Sequence, residues 1–538
     1  MQTTTITLHG AFPIGPVDER IFGGFMEHMG RCVYEGVYQP ASRHADQDGF
    51  RSDVLAALRR LRMTVMRWPG GNFASGYHWR DGVGPKPGRP VVFEPAWRSR
   101  ESNHFGTDEY LRLCQKMGWT PMVAINLGTA APEEARDWLE YCNLPAGTAL
   151  ADLRARHGRG EPYGVKLWCL GNEMDGAWQM GHVPAHEYAI KAQQAARLMK
   201  TLDPSIELVV CGSCGVTMPT YMEWDRQVLE YVLPRTSGEM RNAPPADYVS
   251  LHRYVGNRAG DTADYLATGL AVDRQIEEMA AVARYVQGRL GLRTRPALCF
   301  DEWNVWYKAR EMDGGGQFAP HLVEEVYNLE DALVVAGFLN SFIRHADVVK
   351  IANLAQIVNV IAPLLTRGDE LLIQSIFHPF EMFSQRRSGV ALQIAQSGPT
   401  YAAKTNGQTP VIDASAILDR PGTGTTGVSP VMRGGSPDPT RPDAAAQESR
   451  RANARLHVFL INRSLDEAAP VEIALGDGHL TAVESGQIVT GRDPKAANSF
   501  EQPNVVAAQD YREVSFAGGR ATLKLPPLSF AAMTFRVE

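Results

Sequence analysis

The chain has 538 residues, enough for two or three domains, or for one large barrel with a companion. Hydrophobic residues make up 44 %, an ordinary share for a globular protein, and the formal net charge is -6, from 54 basic and 60 acidic residues. That balance gives no electrostatic case for nucleic acid or an anionic membrane, and no run reaches the roughly 18 apolar residues of a membrane span.

The first residues, Met1-Gln2-Thr3-Thr4-Thr5-Ile6-Thr7, contain no basic segment leading into an apolar one. No secretory signal is therefore expected, and the expected address is the cytoplasm. Residues 3–8 alternate, and are predicted to cross over and add a strand to a C-terminal sheet. Short apolar runs then recur at 21–25, 64–67, 122–126, 165–170, 207–211, 248–252, 297–300 and 348–352. Several are rich in Val, Ile, Leu or Cys and do not alternate, the pattern of parallel strands buried on both faces. Amphipathic stretches at 52–61, 107–117, 185–201, 271–290 and 329–344 read as helices between them. Their ends carry the expected punctuation: Gly118 after Met117, Pro184 at the start of the next helix, and Asp203-Pro204 past its end. Strand and helix alternating about eight times predict an α/β fold, a (β/α)8 TIM barrel.

After about Gly389 the texture changes to strand-like alternation, at 455–461, 471–475, 521–525 and 531–537, with turn residues between. A C-terminal antiparallel β-sandwich, jelly-roll-like, is expected. The predicted division is a barrel over 18–386, and a sandwich from 1–17 together with 387–538. The stretch 420–451, rich in Gly, Pro, Thr, Ser and Ala, reads as a flexible loop within the sandwich.

Seven cysteines cannot all pair within one chain, and Cys169, Cys211 and Cys299 sit in apolar runs. Cys211 and Cys214 form a lone CxxC without the further ligands a zinc site needs. Ten Trp and seventeen Tyr supply flat rings that suit sugar faces, although most of them are expected in the core.

The active site of such a barrel lies at the C-terminal ends of its strands, so the residues just past each run carry the chemistry. Two runs stop at a glutamate: Trp168-Cys169-Leu170-Gly171-Asn172-Glu173 and Leu298-Cys299-Phe300-Asp301-Glu302. Two carboxylates delivered to one rim are the minimum apparatus for splitting a glycosidic bond. The other strand ends supply Glu27 and His28, Arg67 through Asn72, Asn126, His252 with Tyr254, Trp306, and Gln356. The bland alternative for Glu173 and Glu302 is an ion pair with Arg67 or Arg253. For His252 it is a structural bond to a neighbouring carboxylate. A metal site from His28, His252 and Glu27 has no HExxH spacing behind it, and Gly70-Gly71 is followed by no GKS or GKT, so neither a metal nor a phosphate cradle is expected. Asp175 and Asp301 are read as supports of the glutamates or as solvent-facing.

The stretches WPGGNFASGYHW, WCLGNEMDGAWQMGH, LHRYVGN, DEWNVWY and NLAQIVNVI resemble the α-L-arabinofuranosidases of glycoside hydrolase family 51, with the likeness running from about Ile21 to Phe383. The resemblance implies a barrel with a C-terminal sandwich, retention of anomeric configuration, and exo-acting release of terminal α-L-arabinofuranose from arabinan, arabinoxylan or their oligomers. By the same resemblance Glu173 is the general acid/base and Glu302 the nucleophile. Asn172 then bonds the sugar 2-hydroxyl, and Glu27, Asn72, Tyr254 and Gln356 hold the terminal arabinofuranose. Trp306 stands in the pocket wall, and Trp97 lines the leaving-group side. His252 is a further substrate-binding candidate. The resemblance further implies a homo-oligomer, a hexamer by family analogy, with an arabinose-containing oligosaccharide as partner and no cofactor, nucleic acid or membrane. Rival readings are an endo-acting xylanase or glucanase on the same barrel, and a non-catalytic carbohydrate-binding protein.

Overall fold

The structure is a computed structural model, and describes residues 1–233, 245–420 and 454–538. Eight parallel strands close into a barrel in chain order: Gly23–Phe25, Val65–Trp68, Thr120–Ala124, Leu167–Leu170, Glu207–Val210, Tyr248–Val255, Ala297–Val305 and Val349–Ala355. Each of the eight apolar runs read from the sequence lies at one of these strands. The first is shorter than its run, because the Asp18 side chain accepts from Arg20 N and caps a 3-10 turn, Glu19–Phe22, that takes up Ile21 and Phe22.

The five helices expected from periodicity are present as Ser52–Arg60, Thr107–Met117, Ala185–Leu202, Thr268–Leu290 and Leu329–Arg344. Gly118 caps the second of these at φ 71°, the left-handed conformation that favours glycine. The layer is completed by Pro132–Asn143, Glu223–Val232 and Phe377–Ser384. The first of these has proline at its start and Glu133 and Glu134 in its first turn, both favourable at the positive end of the helix dipole.

Ten further strands form one rolled sheet. The N-terminal strand, Thr4–Pro16, lies inside it, antiparallel to Val390–Ser397 and parallel to Ala469–Leu475. Every other pair of this sheet is antiparallel among the described residues. The parallel pair is possible because no hairpin joins these two strands, so no tight turn dictates their relative direction. The ends of the sheet meet: Leu480 N donates to Gly519 O at 2.9 Å, and Tyr511 Oη to Lys524 O at 2.9 Å. Inside the roll Ile6, Leu8, Leu456, Val458, Ile473 and Phe535 are buried. Phe383, from the last barrel helix, stacks on Phe459 and Phe530 with ring centres 4.0 and 5.0 Å away, which joins the two bodies. The stretch predicted as a loop, 420–451, lies from 421 onward outside the described residues.

All seven cysteines are free, and Cys169, Cys211 and Cys299 are buried. Among the described residues no helix is long and apolar enough to cross a membrane.

Candidate active site

The fourth strand ends sharply. Gly171 has φ 90° and Glu173 has φ 44°. A non-glycine residue held there stores strain of order 1–3 kcal/mol, which persists only where the surroundings fix it. Two contacts do so: His252 Nδ1 lies 2.8 Å from Glu173 Oε1, and the Trp178 indole N–H donates to Glu173 Oε2 at 2.6 Å.

The seventh strand uses a different device. Its pairing with the sixth strand slips between Cys299 and Glu302, and its pairing with the eighth between Phe300 and Trp303. In a regular strand consecutive side chains face opposite ways; a bulge re-aims them. Asp301 and Glu302 consequently meet the same partners. Arg67 reaches both, with Nη1 2.7 Å from Glu302 Oε1 and Nε 3.4 Å from Asp301 Oδ2. His252 reaches both as well, with Nε2 3.3 Å from Asp301 and Nδ1 3.5 Å from Glu302. Tyr254 Oη donates to Glu302 Oε2 at 3.0 Å.

Carboxylate oxygens of Glu173 and Glu302 and a ring nitrogen of His252 all lie within 4.8 Å of one another. These are metal-ligand types, but their neighbours already satisfy them: Arg67 and Tyr254 on Glu302, Trp178 on Glu173, Asp301 on the far side of His252. The ion pair of Glu302 with Arg67 is present and belongs to the carboxylate cluster. Arg253 takes no part, and its Nη1 donates to Gln275 at 3.1 Å. Arg67 is fully buried, and its Nη2 donates to Asn172 Oδ1 at 2.7 Å, so one guanidinium ties strands two, four and seven.

Burial raises the pKa of Glu302; the charges of His252 and Arg67 pull it only part of the way back, and it stays above the usual carboxylate range. Burial alone would lower His252, but the charges of Glu302 and Asp301, with its bonds to Asp301 and Glu173, raise it well above the usual histidine range. For Asp301 the upward push of burial is overcome by Arg67 and His252, and it is lowered.

A second group forms around Glu27. Phe73 N and the Trp97 indole N–H donate to its Oε1 at 3.0 and 3.1 Å, and Gln356 Oε1 accepts from Glu27 N at 3.1 Å. Burial, then the charge of Glu302, pushes Glu27 up to about 8. Gly70 and Gly71 let the backbone pass between these carboxyls: a Cβ on Gly70 would sit 2.7 Å from Glu27 Cγ, and one on Gly71 2.8 Å from Glu302 Oε1. Asn72 opens the next 3-10 turn, Asn72–Gly76, between Gly71 and Phe73. Trp306 is half-buried and stands perpendicular to Tyr254, with ring centres 5.6 Å apart.

Several expectations change. Trp97, expected on the leaving-group side, is only 6 % exposed and its indole is bonded to Glu27. The exposed indole at the cluster is Trp178, 56 % exposed, which sequence reasoning does not assign although it lies in the strand-four motif. Asp175 and Asp301 are both buried, which removes the solvent-facing option. Asp175 accepts from Ser213 Oγ at 2.7 Å and Cys214 N at 3.0 Å. His28 is occupied elsewhere, between Glu101 at 2.9 Å and the Trp68 indole N–H at 3.0 Å.

Comparisons with known proteins place the chain among described families. The α-L-arabinofuranosidase 1 domain matches residues 57–257, and the α-L-arabinofuranosidase C-terminal domain matches 301–529. The chain is 44 % identical over 510 residues to intracellular exo-α-(1→5)-L-arabinofuranosidase 1 of Bacillus subtilis (strain 168), covering 94 % of each chain. It is 40 % identical over 537 residues to the intracellular exo-α-(1→5)-L-arabinofuranosidase of Streptomyces lividans, covering 98 % of this chain and 75 % of that one. The solved family 51 α-L-arabinofuranosidase from Bifidobacterium longum superposes with a TM-score of 0.87 at 33 % identity, over 99 % of this chain and 100 % of that one. These likenesses establish that the chain belongs to the α-L-arabinofuranosidases of glycoside hydrolase family 51.

Proposed function

We propose that the chain hydrolyses terminal, non-reducing α-L-arabinofuranosyl residues by an exo-acting double displacement with retention. The observation that carries this reading is the approach of Glu173 and Glu302: one carboxyl oxygen of each lies within 4.8 Å of the other. Retaining enzymes hold their carboxyl groups about 5–5.5 Å apart; inverting ones need about 6.5 Å or more, to admit a water.

The charges around the pair suit the chemistry. Arg67 and His252 bring two cations to Asp301 and Glu302, so both carboxylates can stay ionised together in a buried place. The double displacement assigns the transferable proton to Glu173. In the first step a Glu302 oxygen bonds the anomeric carbon as the glycosidic C–O bond breaks, and the Glu173 proton passes to the leaving oxygen. A covalent arabinosyl-enzyme results, and the charge on Glu302 is gone. Glu173, now a carboxylate, takes a proton from water, whose oxygen bonds the anomeric carbon and frees Glu302. Glu27, Asn72, Asn172, Tyr254 and Gln356 are assigned to the sugar hydroxyls, where contacts that strengthen in the transition state speed the reaction. His252, buried between three carboxylates, acts on the pair and not on the sugar.

The names of these relatives, intracellular exo-α-(1→5)-L-arabinofuranosidases, point to terminal α-(1→5)-linked arabinofuranose as substrate and to the cytoplasm as address, where short imported oligomers would be met. Family analogy adds a homo-oligomer, which sedimentation tests. Hydrolysis of aryl α-L-arabinofuranoside, set beside the matching xylopyranoside and glucopyranoside, tests the activity. Turnover of the arabinofuranoside alone is expected, and the E302A variant is expected to lose it. Preference for either pyranoside would overturn the reading.

A further inference from the structure

The sequence Asp313-Gly314-Gly315-Gly316-Gln317, in the long loop after strand seven, takes no part in the displacement chemistry. Its backbone is zipped to a second loop. Strands Val92–Glu94 and Ser99–Glu101 form a small hairpin whose turn carries Trp97. Gly314 N donates to Trp97 O at 2.8 Å, Gly316 N to Arg98 O at 2.7 Å, and Arg100 N to Gln317 O at 2.8 Å. From its other side the turn is fixed by Glu94, whose carboxylate accepts from Ala96 N at 2.6 Å and Trp97 N at 2.7 Å. The side-chain pair across the seam, Arg98 with Asp313 at 3.1 Å, is more than half exposed on both partners and adds little. The backbone ladder holds the loops together.

The approach depends on one missing side chain. A Cβ on Gly314 would lie 2.9 Å from Trp97 O, 3.0 Å from Ser99 Cβ and 3.0 Å from Pro320 Cγ. Two of these neighbours, a carbonyl and a Cβ, are fixed to the hairpin backbone and cannot swing away. Gly316 differs: at φ 70° it needs the left-handed conformation, but a Cβ there would meet nothing within 4 Å. The seated Trp97 then donates its indole N–H to Glu27 at 3.1 Å.

We propose that Gly314 is a positioning residue for substrate recognition: by admitting the strand-seven loop against the Trp97 turn, it seats the indole that orients Glu27 for the terminal sugar. The inference rests on the reading of Glu27 as a sugar-gripping group. It couples two loops that the chain order separates by more than two hundred residues, so the shape of the sugar pocket on the Glu27 side depends on the strand-seven loop.

The test compares the G314V and G314A variants with G316N as control, each in the wild-type and W97F backgrounds. G314V is expected to raise KM for an aryl α-L-arabinofuranoside about tenfold, with kcat within about threefold. G314A is expected to shift KM the same way by less, and carries the test should G314V fail to fold. G316N is expected to match wild type, because asparagine tolerates the left-handed conformation. In the W97F background the G314V effect is expected to fall below about twofold. Wild-type KM in both Gly314 variants, or an undiminished effect in W97F, would overturn the proposal. A wild-type protein inactive on every arabinofuranoside would instead sink the activity. Acrylamide quenching would then decide the clamp: greater tryptophan accessibility in G314V, abolished in W97F, supports it, and unchanged quenching refutes it.

Discussion

Gly71 lies so close to Glu302 that a methyl group on its α-carbon would sit 2.8 Å from Glu302 Oε1 and 3.4 Å from Asn172 Nδ2. Glu302, the proposed nucleophile, is held on one side by Arg67 and Tyr254 and on the other by a backbone that has no side chain there. The G71A variant is therefore expected to displace Glu302 and lower kcat about a hundredfold, since misplacement by about 1 Å costs roughly that factor. Its melting temperature should stay within a few degrees of wild type. Circular-dichroism melts run beside kinetics check both halves, and near-normal kcat would contradict the placement.

His252 contributes a positive charge that lowers the pKa of Glu302. The H252Q variant removes that charge, so Glu302 needs a higher pH to ionise. The acid limb of kcat/KM is expected to move toward higher pH, with the maximum reduced by about a hundredfold. A profile unchanged in position would show that His252 has no electrostatic hold on the nucleophile.

As the proposed acid/base, Glu173 is expected to matter most when the leaving group is poor. The E173A variant is expected to lose about a thousandfold or more on α-(1→5)-arabinobiose but far less on an aryl arabinofuranoside, whose phenol departs without help. Azide, a nucleophile that needs no base, should restore part of the second step. Equal losses on the two substrates would count against an acid/base role.

His457, buried in the rolled sheet with Nδ1 3.0 Å from Thr534 Oγ1, has its pKa lowered by burial, then by Arg386 and Arg455, to about 4. A histidine whose folded pKa lies below its unfolded value binds more protons when unfolded. Its contribution to stability is full above about pH 6.5 and is lost as pH falls toward 4. By pH 5 the loss is about 2 kcal/mol. The H457Q variant should show a shallower fall of denaturation midpoint between pH 7 and 5. An identical slope would contradict this assignment.

How far the sequence can be read depends on the range of the interactions involved. The barrel strands are legible because each is a short apolar run buried on both faces, and Glu173 and Glu302 because each follows such a run, although strand seven continues past Glu302 to Val305. Trp178 escapes notice because it lies five residues past Glu173 in a loop, where no periodicity marks direction. The bulge that turns both Asp301 and Glu302 toward Arg67 leaves no compositional trace, and strict alternation would put one of them outside. The parallel pairing of Thr4–Pro16 with Ala469–Leu475 joins residues too far apart for local pattern to reveal. Gly314 reads as an ordinary loop glycine; only the carbonyl of Trp97 beside it shows why the side chain is missing.

Time-resolved NMR of an arabinofuranoside digest tests the displacement pair most directly. Direct attack by Glu302 beside Glu173 predicts the α-anomer of arabinofuranose as the first product, with the β-anomer appearing only later by mutarotation. First appearance of the β-anomer would mean that water, and not Glu302, reaches the anomeric carbon.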